Sequence, residues 1–222
     1  MKNNQRGATS VLVIFMMLVL VTLGAFAITS AHANYRLSQR ALLWKTMYYR
    51  LDALGEEYLS LIDSRLAKAE KIASDFTVNK RWQNMVNLDI PSELKVIINQ
   101  RIANNPGNPE AEAFNTVFLH YSNLFLIELT DNLEHANISL IGDGLEINSL
   151  LISLDITDET FRDEGNGLQV TLWVEPAASV VETDNGLSLT WRYGNRYIIE
   201  DWYEYQQAQD DAPAMSVWDG TF

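Results

Sequence analysis

One uninterrupted apolar stretch near the N-terminus decides the architecture of this chain: residues 11–27 read VLVIFMMLVLVTLGAFA. No charged residue occurs from Ala8 to Ala31. About 20 apolar residues, rising 1.5 Å each, form a helix that crosses the ~30 Å hydrocarbon core of a bilayer. A buried helix of a soluble protein would usually carry a polar face, which this stretch lacks. The sequence therefore predicts a transmembrane helix over residues 8–31.

Charge is distributed unevenly along the chain. The 222 residues have a formal net charge of −13, yet residues 1–81 hold 11 Lys and Arg against 6 Asp and Glu, a net charge of +5. Residues 82–222 therefore carry a net charge of −18. An acidic domain of this kind argues against nucleic-acid binding, because phosphate contacts need Lys and Arg. The absence of cysteine excludes disulfides, thiolate zinc sites and a thiol nucleophile.

The orientation of the apolar stretch has to be judged from its flanks. Basic residues occur on both sides of it, so the positive-inside rule does not decide the orientation alone. The short leader and the acidic C-terminal part favour a single-pass protein of the cell membrane, with a cytoplasmic N-terminus and an extracytoplasmic domain. The alternative is a secretory signal cleaved after Ala33, since Ala31-His32-Ala33 fits a small-x-small cleavage site.

An amphipathic stem helix is predicted over residues 32–76. Good helix formers dominate this segment, and no proline occurs before Pro91. Its apolar residues recur in alternating steps of four and three, a heptad pattern typical of helix packing. Gly55 interrupts the pattern and is expected to weaken the helix by about 1 kcal/mol relative to Ala. Such a seam can pack against other subunits or against the chain's own domain. We call the following residues the assembly seam: Leu37, Ala41, Trp44, Tyr48, Leu51, Tyr58 and Ile62.

The rest of the chain predicts an α+β fold. Residues 77–135 contain two shorter helices. The first has Ser92 as its N-cap, and the second opens at Asn108-Pro109 and runs to about Glu134.

Residues 136–205 then switch to a period of two, which predicts an antiparallel β-meander of four or five strands. Asp143-Gly144 and Gly194-Asn195 supply turns between strands, and the strand after residue 186 is expected to reach Tyr193. Residues 206–222 are predicted to form an irregular C-terminal tail.

No pattern for catalysis, a cofactor or a metal ion stands out, so we expect a protein that is not an enzyme. His120 and His135 lie 15 residues apart on one predicted helix, which does not suit metal ligands. Each is expected to be an ordinary surface or interface residue. The acidic loop 155–164 lacks the residue order of a calcium loop and is expected to be solvated, although its role stays open. An aromatic cluster suggests either core packing or a sugar-binding platform: Trp191, Tyr193, Tyr197, Trp202, Tyr203 and Tyr205.

The first 60 or so residues resemble type IV pilin-like proteins, including the pseudopilins of type II secretion and the tight-adherence (Tad) pilins. Proteins of this family have a short basic leader that ends in Gly, followed by an uncharged helix that continues into an amphipathic stem. Residues 1–7 match such a leader, with Gly7 and Ala8 flanking the processing position. The family usually carries Glu at the fifth mature position, where this chain has Leu12. In having Leu12 at this position, the chain is more similar to a minor or tip component than to a major pilin.

The resemblance implies a structural, membrane-anchored minor or tip subunit of a type IV filament or secretion-type assembly. Its partners would be the lipid bilayer and, through the N-terminal helix, other pilin-like subunits or envelope proteins. The alternative is a signal-anchored cell-envelope module whose acidic extracytoplasmic domain binds a glycan or a protein. Cleavage after Gly7, cleavage after Ala33 and no cleavage remain open.

Overall fold

The computed structural model describes residues 4–130, 133–141, 149–157, 166–184 and 186–206, with side chains from Ser10 to Tyr205. It confirms the α+β fold class. Two units are distinguished, Met1–Tyr49 and Arg50–Phe222. The helices are α1 (Asn4–Val78), α2 (Ser92–Asn104) and α3 (Pro109–Thr130), with a 3-10 helix at Arg81–Gln83. The strands are β1 (Ala136–Ile141), β2 (Leu150–Ile156), β3 (Asn166–Val174), β4 (Ser179–Thr183), β5 (Gly186–Thr190) and β6 (Tyr197–Gln206).

The described part of the first unit is the N-terminal part of α1. Its large apolar side chains from Val11 to Ile28 are exposed. The hydroxyl groups of Thr22 and Thr29 donate to carbonyl oxygens one turn earlier, at 2.9 Å and 2.6 Å. These polar groups are therefore satisfied inside the helix, as a lipid environment requires. Among the described residues, α1 is the one helix long and apolar enough to cross a membrane, which is compatible with a transmembrane or signal anchor.

The second unit contains a four-stranded antiparallel sheet of order β1-β2-β3-β6. The first three strands form a meander as predicted, and β6 returns to pair with β3 after a separate β4-β5 hairpin. One face of the sheet is apolar because every second residue of the two central strands is fully or almost fully buried. These residues are Leu150, Ile152, Leu154, Ile156, Leu168, Val170, Leu172 and Val174.

Helices α1 and α3 supply much of the rest of the core. The α1 residues Ile62 and Leu66 are fully buried, as are Phe114 and Phe118 of α3. From Ala113 to His120, every residue of α3 except Asn115 is buried, so this part of α3 is covered on nearly all sides.

Three local predictions were wrong. Ser92 is the first residue of α2 rather than its N-cap, because the carbonyl of Pro91 already accepts the N–H of Lys95 at 3.2 Å. Helix α3 ends at Thr130, and the carbonyl of His135 instead accepts the N–H of Thr157 at 2.8 Å, next to the β1-β2 ladder.

The third error concerns β5, which ends at Thr190 instead of reaching Tyr193. A turn follows, in which the N–H of Gly194 donates to the carbonyl of Trp191 at 3.2 Å. Gly194 has a φ of 82°, a conformation that other residues rarely adopt, so the predicted turn at Gly194-Asn195 is confirmed. Three further predictions lie outside the described residues: the turn at Asp143-Gly144, the acidic loop after Thr157 and the tail after Gln206.

Candidate assembly surface

The seven residues of the assembly seam divide between the two units. In the first unit Leu37, Trp44 and Tyr48 are 63%, 48% and 47% exposed, and Ala41 is exposed as well. In the second unit Leu51, Tyr58 and Ile62 are 1%, 7% and 0% exposed. The first four residues are thus accessible in the isolated chain, whereas the last three belong to the core of the domain.

A second line of apolar side chains runs along the same part of α1. Tyr35, Leu42 and Tyr49 recur every seven residues and are 63%, 60% and 58% exposed. A coiled-coil partner covers one such line and leaves a second one in water. We call the exposed apolar side chains of residues 35–49 the stem surface: Tyr35, Leu37, Ala41, Leu42, Leu43, Trp44, Tyr48 and Tyr49.

Basic residues are interspersed among the residues of the stem surface. Residues 1–49 contain five Lys and Arg and no Asp or Glu. Arg36 and Arg40 are exposed, and the Lys45 ammonium lies 5.8 Å from the centre of the Tyr49 ring. Residues 50–222 have 11 Lys and Arg against 29 Asp and Glu, so the two units have net charges of +5 and −18.

Gly55 lies where α1 closely approaches side chains of the sheet. A Cβ atom at this position would lie 2.8 Å from Leu168 Cδ2 and 2.8 Å from the Trp202 ring. The glycine, which looked like a weak point in the sequence, therefore makes room for an aromatic side chain of β6. The loss of helix propensity is offset by a close helix–sheet contact.

Arg196 joins the beginning of β6 to α1. Its Nη1 donates to Asp63 Oδ1 at 2.9 Å, and its Nε donates to Glu70 Oε2. Burial acts to lower the pKa of Arg196, but the hydrogen bonds and charges of the two carboxylates outweigh it and raise this pKa above its ordinary value. These three residues, with Trp191 and Tyr197, line an open cavity of about 400 Å³.

The aromatic residues between 191 and 205 do not form a single surface. Trp191 packs on Phe118 with ring centres 5.2 Å apart, and Trp202 packs over Gly55. Tyr203 and Tyr205 point to the opposite sheet face, where their hydroxyls donate to Gln169 and Asp155, each at 2.5 Å. The six residues therefore do not form one shared platform, and the half-buried Trp191 and Trp202 pack against residues of the core.

The two histidines of the second unit are placed differently from the prediction. His120 is buried inside the domain rather than at a surface or an interface, because α3 is covered on most sides. Its Nε2 atom has no hydrogen-bond partner among the described residues, and burial lowers the pKa of His120. His135 lies before β1, outside any helix, and its buried Nδ1 also lacks a partner in the part of the chain that the structure describes. The described residues contain no group of three or more His, Asp or Glu side chains placed to hold a metal ion.

Comparison with known proteins does not place this chain in a family. No family model, no curated protein and no solved structure matches it.

Proposed function

We propose that this protein is a membrane-anchored, pilin-like minor or tip subunit of a type IV filament or secretion-type assembly. Its role is structural: α1 enters the bilayer, and the acidic domain lies on the extracytoplasmic side. The observation that carries the proposal is the stem surface, because a monomer rarely leaves so many large apolar side chains exposed along one short helical segment without a partner.

Lipid does not provide that partner for the part of the stem surface around Trp44. If the membrane span begins at Ala8, about 20 residues reach Ala27 at the far edge of the hydrocarbon. Trp44 then lies about 25 Å farther along the helix, whereas the headgroup region is only about 5–8 Å deep. A span that begins at Val11 brings Trp44 no closer than about 20 Å. Other protein helices are therefore the occupants that the stem surface fits.

The two apolar lines also favour more than one neighbour for each stem. A two-stranded coiled coil would bury the line through Leu37 and Trp44 and leave the line through Leu42 and Tyr49 in water. A subunit packed among several helices covers both. This arrangement supports assembly into a larger structure rather than a simple dimer.

A photo-crosslinking experiment in the native host tests this function. Benzoylphenylalanine placed at Trp44 in the full-length chain should give adducts with other copies or other envelope proteins. The same residue at Val96, which is 63% exposed on α2, serves as the matched control for surface exposure and should give few adducts. Equal adduct yields at the two positions would show that the stem surface has no specific partner.

Processing is a separate element of the proposal. If a prepilin peptidase acts, the mature N-terminus is Ala8, and Gly7→Leu abolishes the corresponding mass shift. An intact N-terminus on the native protein would rule out this processing, and an N-terminus at Asn34 would support release after Ala33 instead. The envelope-binding alternative predicts retention on a glycan or protein array by the domain, independent of the stem surface.

A further inference from the structure

A second cavity lies on the outer face of the four-stranded sheet, opposite the apolar core. Leu172 and Val174 of β3 are fully buried in the core, so Trp173 between them points to the outer face. Trp173 lines a cavity of about 460 Å³, which is within the range of sites for small molecules. We call it the Trp173 cavity, and its lining residues are Ser149, Trp173, Glu175, Pro176, Ala177, Ala178 and Arg192.

Trp173 offers this cavity the carbon surface of its indole ring. The residue is half-buried, but its Nε1 atom is fully buried and has no acceptor among the described residues. A buried indole N–H usually finds a partner, because leaving it without one is unfavourable. Leu151 of β2 and Ile198 of β6 lie directly opposite Trp173 in the two neighbouring strands, so apolar side chains flank the ring. The accessible part of the residue is therefore an apolar ring surface rather than a hydrogen-bond donor.

The chain segment after β3 forms a well-anchored wall of the cavity. The Oδ1 of Asn115 accepts the N–H of Ala177 at 2.8 Å, and its Nδ2 donates to the Ala177 carbonyl at 3.2 Å. The N–H of Ala178 donates to the carbonyl of Thr190 at 2.8 Å, and the ring of Pro176 restricts its own backbone. The cavity is therefore preorganised, and little free energy is lost in ordering it around a ligand.

Two groups of opposite charge meet at the cavity. Arg192 Nη1 lies 3.7 Å from Glu175 Oε1, which is longer than a hydrogen bond, and the Arg192 side chain is 66% exposed. Both groups therefore keep hydrogen-bonding capacity for a ligand, the guanidinium as a donor and the carboxylate as an acceptor. Together with the Ser149 hydroxyl they give the cavity donors and acceptors without a net charge.

We propose that the Trp173 cavity binds a neutral sugar ring of an oligosaccharide. A sugar ring has an apolar face of C–H groups, which packs on an aromatic ring, and hydroxyl groups that both donate and accept hydrogen bonds. Trp173 suits the first, and Arg192 with Glu175 suits the second. An anionic ligand is disfavoured, because residues 50–222 have a net charge of −18. This inference goes beyond the proposed function and does not depend on the stem surface.

Binding can be tested with the full-length protein in a detergent that has no sugar headgroup, because an alkyl glycoside would compete for the site. The protein is applied to a printed array of neutral hexose and N-acetylhexosamine oligosaccharides, beside sialylated and uronic-acid chains and a set of peptides. We expect retention on one or more of the neutral oligosaccharides. Titration calorimetry with the best retained one then gives a Kd for the wild type and for each variant.

Three substitutions in the cavity should weaken this binding to different degrees. Trp173→Ala should raise the Kd by about tenfold or more, as the loss of an aromatic anchor does, and Trp173→Phe should raise it less because a ring remains. Arg192→Met should raise the Kd by about three- to tenfold, since a hydrogen-bond donor is lost. Ala178→Trp should abolish binding, because it fills the cavity from an exposed position and removes no polar group.

Two variants outside the cavity are the controls. Tyr203→Ala removes an exposed aromatic ring from the same sheet face, and Arg81→Met removes an exposed cation, so both should bind like the wild type. Urea unfolding identifies any variant that is not folded, and Ala178→Trp keeps the test decisive if Trp173→Ala is unstable. No retention on neutral oligosaccharides, retention only on anionic chains or peptides, or binding unaffected by Ala178→Trp would overturn the inference. The crosslinks from Trp44 decide the proposed function separately.

Discussion

His120 is a buried titratable residue for which the described structure provides no hydrogen-bond partner. The residue is 9% exposed, and its ring lies edge-on to Tyr121, with ring centres 5.3 Å apart. Burial disfavours the charged imidazolium and lowers the pKa of His120 from its ordinary value of 6.5. The unfolded chain therefore takes up a proton at a higher pH than the folded chain does. The free energy of unfolding should fall as the pH drops below about 6.5 and be independent of this group above it.

Replacing His120 by Phe should remove this pH dependence. The ring volume is similar, and the unpartnered Nε2 atom disappears, so stability at pH 7.5 should be equal or slightly higher. Between pH 6.5 and 5 the variant should lose less stability than the wild type, measured by urea unfolding of the full-length protein in detergent. His32→Asn, at an exposed position of α1, is the control and should follow the wild type. Parallel pH profiles for His120→Phe and the wild type would refute this role.

Gly55 gives a second prediction at the level of one residue. Helix propensity alone predicts that Gly55→Ala stabilises the protein by about 1 kcal/mol. The close approach of Leu168 and Trp202 predicts the opposite, a loss of about 1–3 kcal/mol, because the added methyl group forces the packed side chains to move. Gly24→Ala, where nothing lies within 4 Å, is the matched control and should not destabilise. A higher urea midpoint for Gly55→Ala would contradict the packing described here.

At the scale of secondary-structure elements, Arg196 ties β6 to α1. It bonds to Asp63 and Glu70, which are one heptad apart and therefore on the same side of the helix. The side chains of Arg196 and Glu70 are 29% and 23% exposed, so water screens this pair less than an ordinary surface pair. The Lys80–Glu182 pair is the contrasting case, with a separation of 3.4 Å and both side chains about half exposed.

Arg196→Met should lower the free energy of unfolding by about 1–3 kcal/mol, because it leaves two carboxylates without their donor. Arg196→Lys should recover only part of this loss, since an ammonium cannot reach both carboxylates with the geometry of a fork. Lys80→Met, which breaks the exposed pair, should change stability by at most about 1 kcal/mol. Urea unfolding measures all three, and equal effects for Arg196→Met and Lys80→Met would show that Arg196 is an ordinary surface residue.

The sequence predicts the elements better than it predicts their contacts. Periods of 3.6 and 2 identify the helices and the central strands, because burial on one face imposes those periods. The heptad pattern could not show that the assembly seam changes from exposed to buried between Tyr48 and Leu51, since both environments select apolar residues. Strand β4 was missed because it is short and Val180 is its one buried residue. The Arg196–Glu70 pair spans 126 positions and depends on the tertiary fold, which no local pattern reveals.

At the scale of the whole molecule, the second unit has its own core and a net charge of −18. A fragment that begins at Arg50 should therefore be soluble and monomeric and should unfold cooperatively, whereas the full-length chain should require detergent. Sedimentation and thermal unfolding of the fragment check this. Aggregation of the fragment, or a gradual loss of structure without a transition, would show that residues 1–49 are needed for the domain to fold.

The central claim is that α1 passes from lipid into a layer of other protein helices before the domain begins. Single cysteines at Leu20, Trp44 and Val96, each in the cysteine-free full-length chain, can be probed in intact cells with a membrane-impermeant maleimide. We expect no labelling at Leu20, labelling at Trp44 only after the assembly is dissociated, and full labelling at Val96. Labelling of Trp44→Cys as complete as that of Val96→Cys in untreated cells, or any labelling of Leu20→Cys, would contradict it.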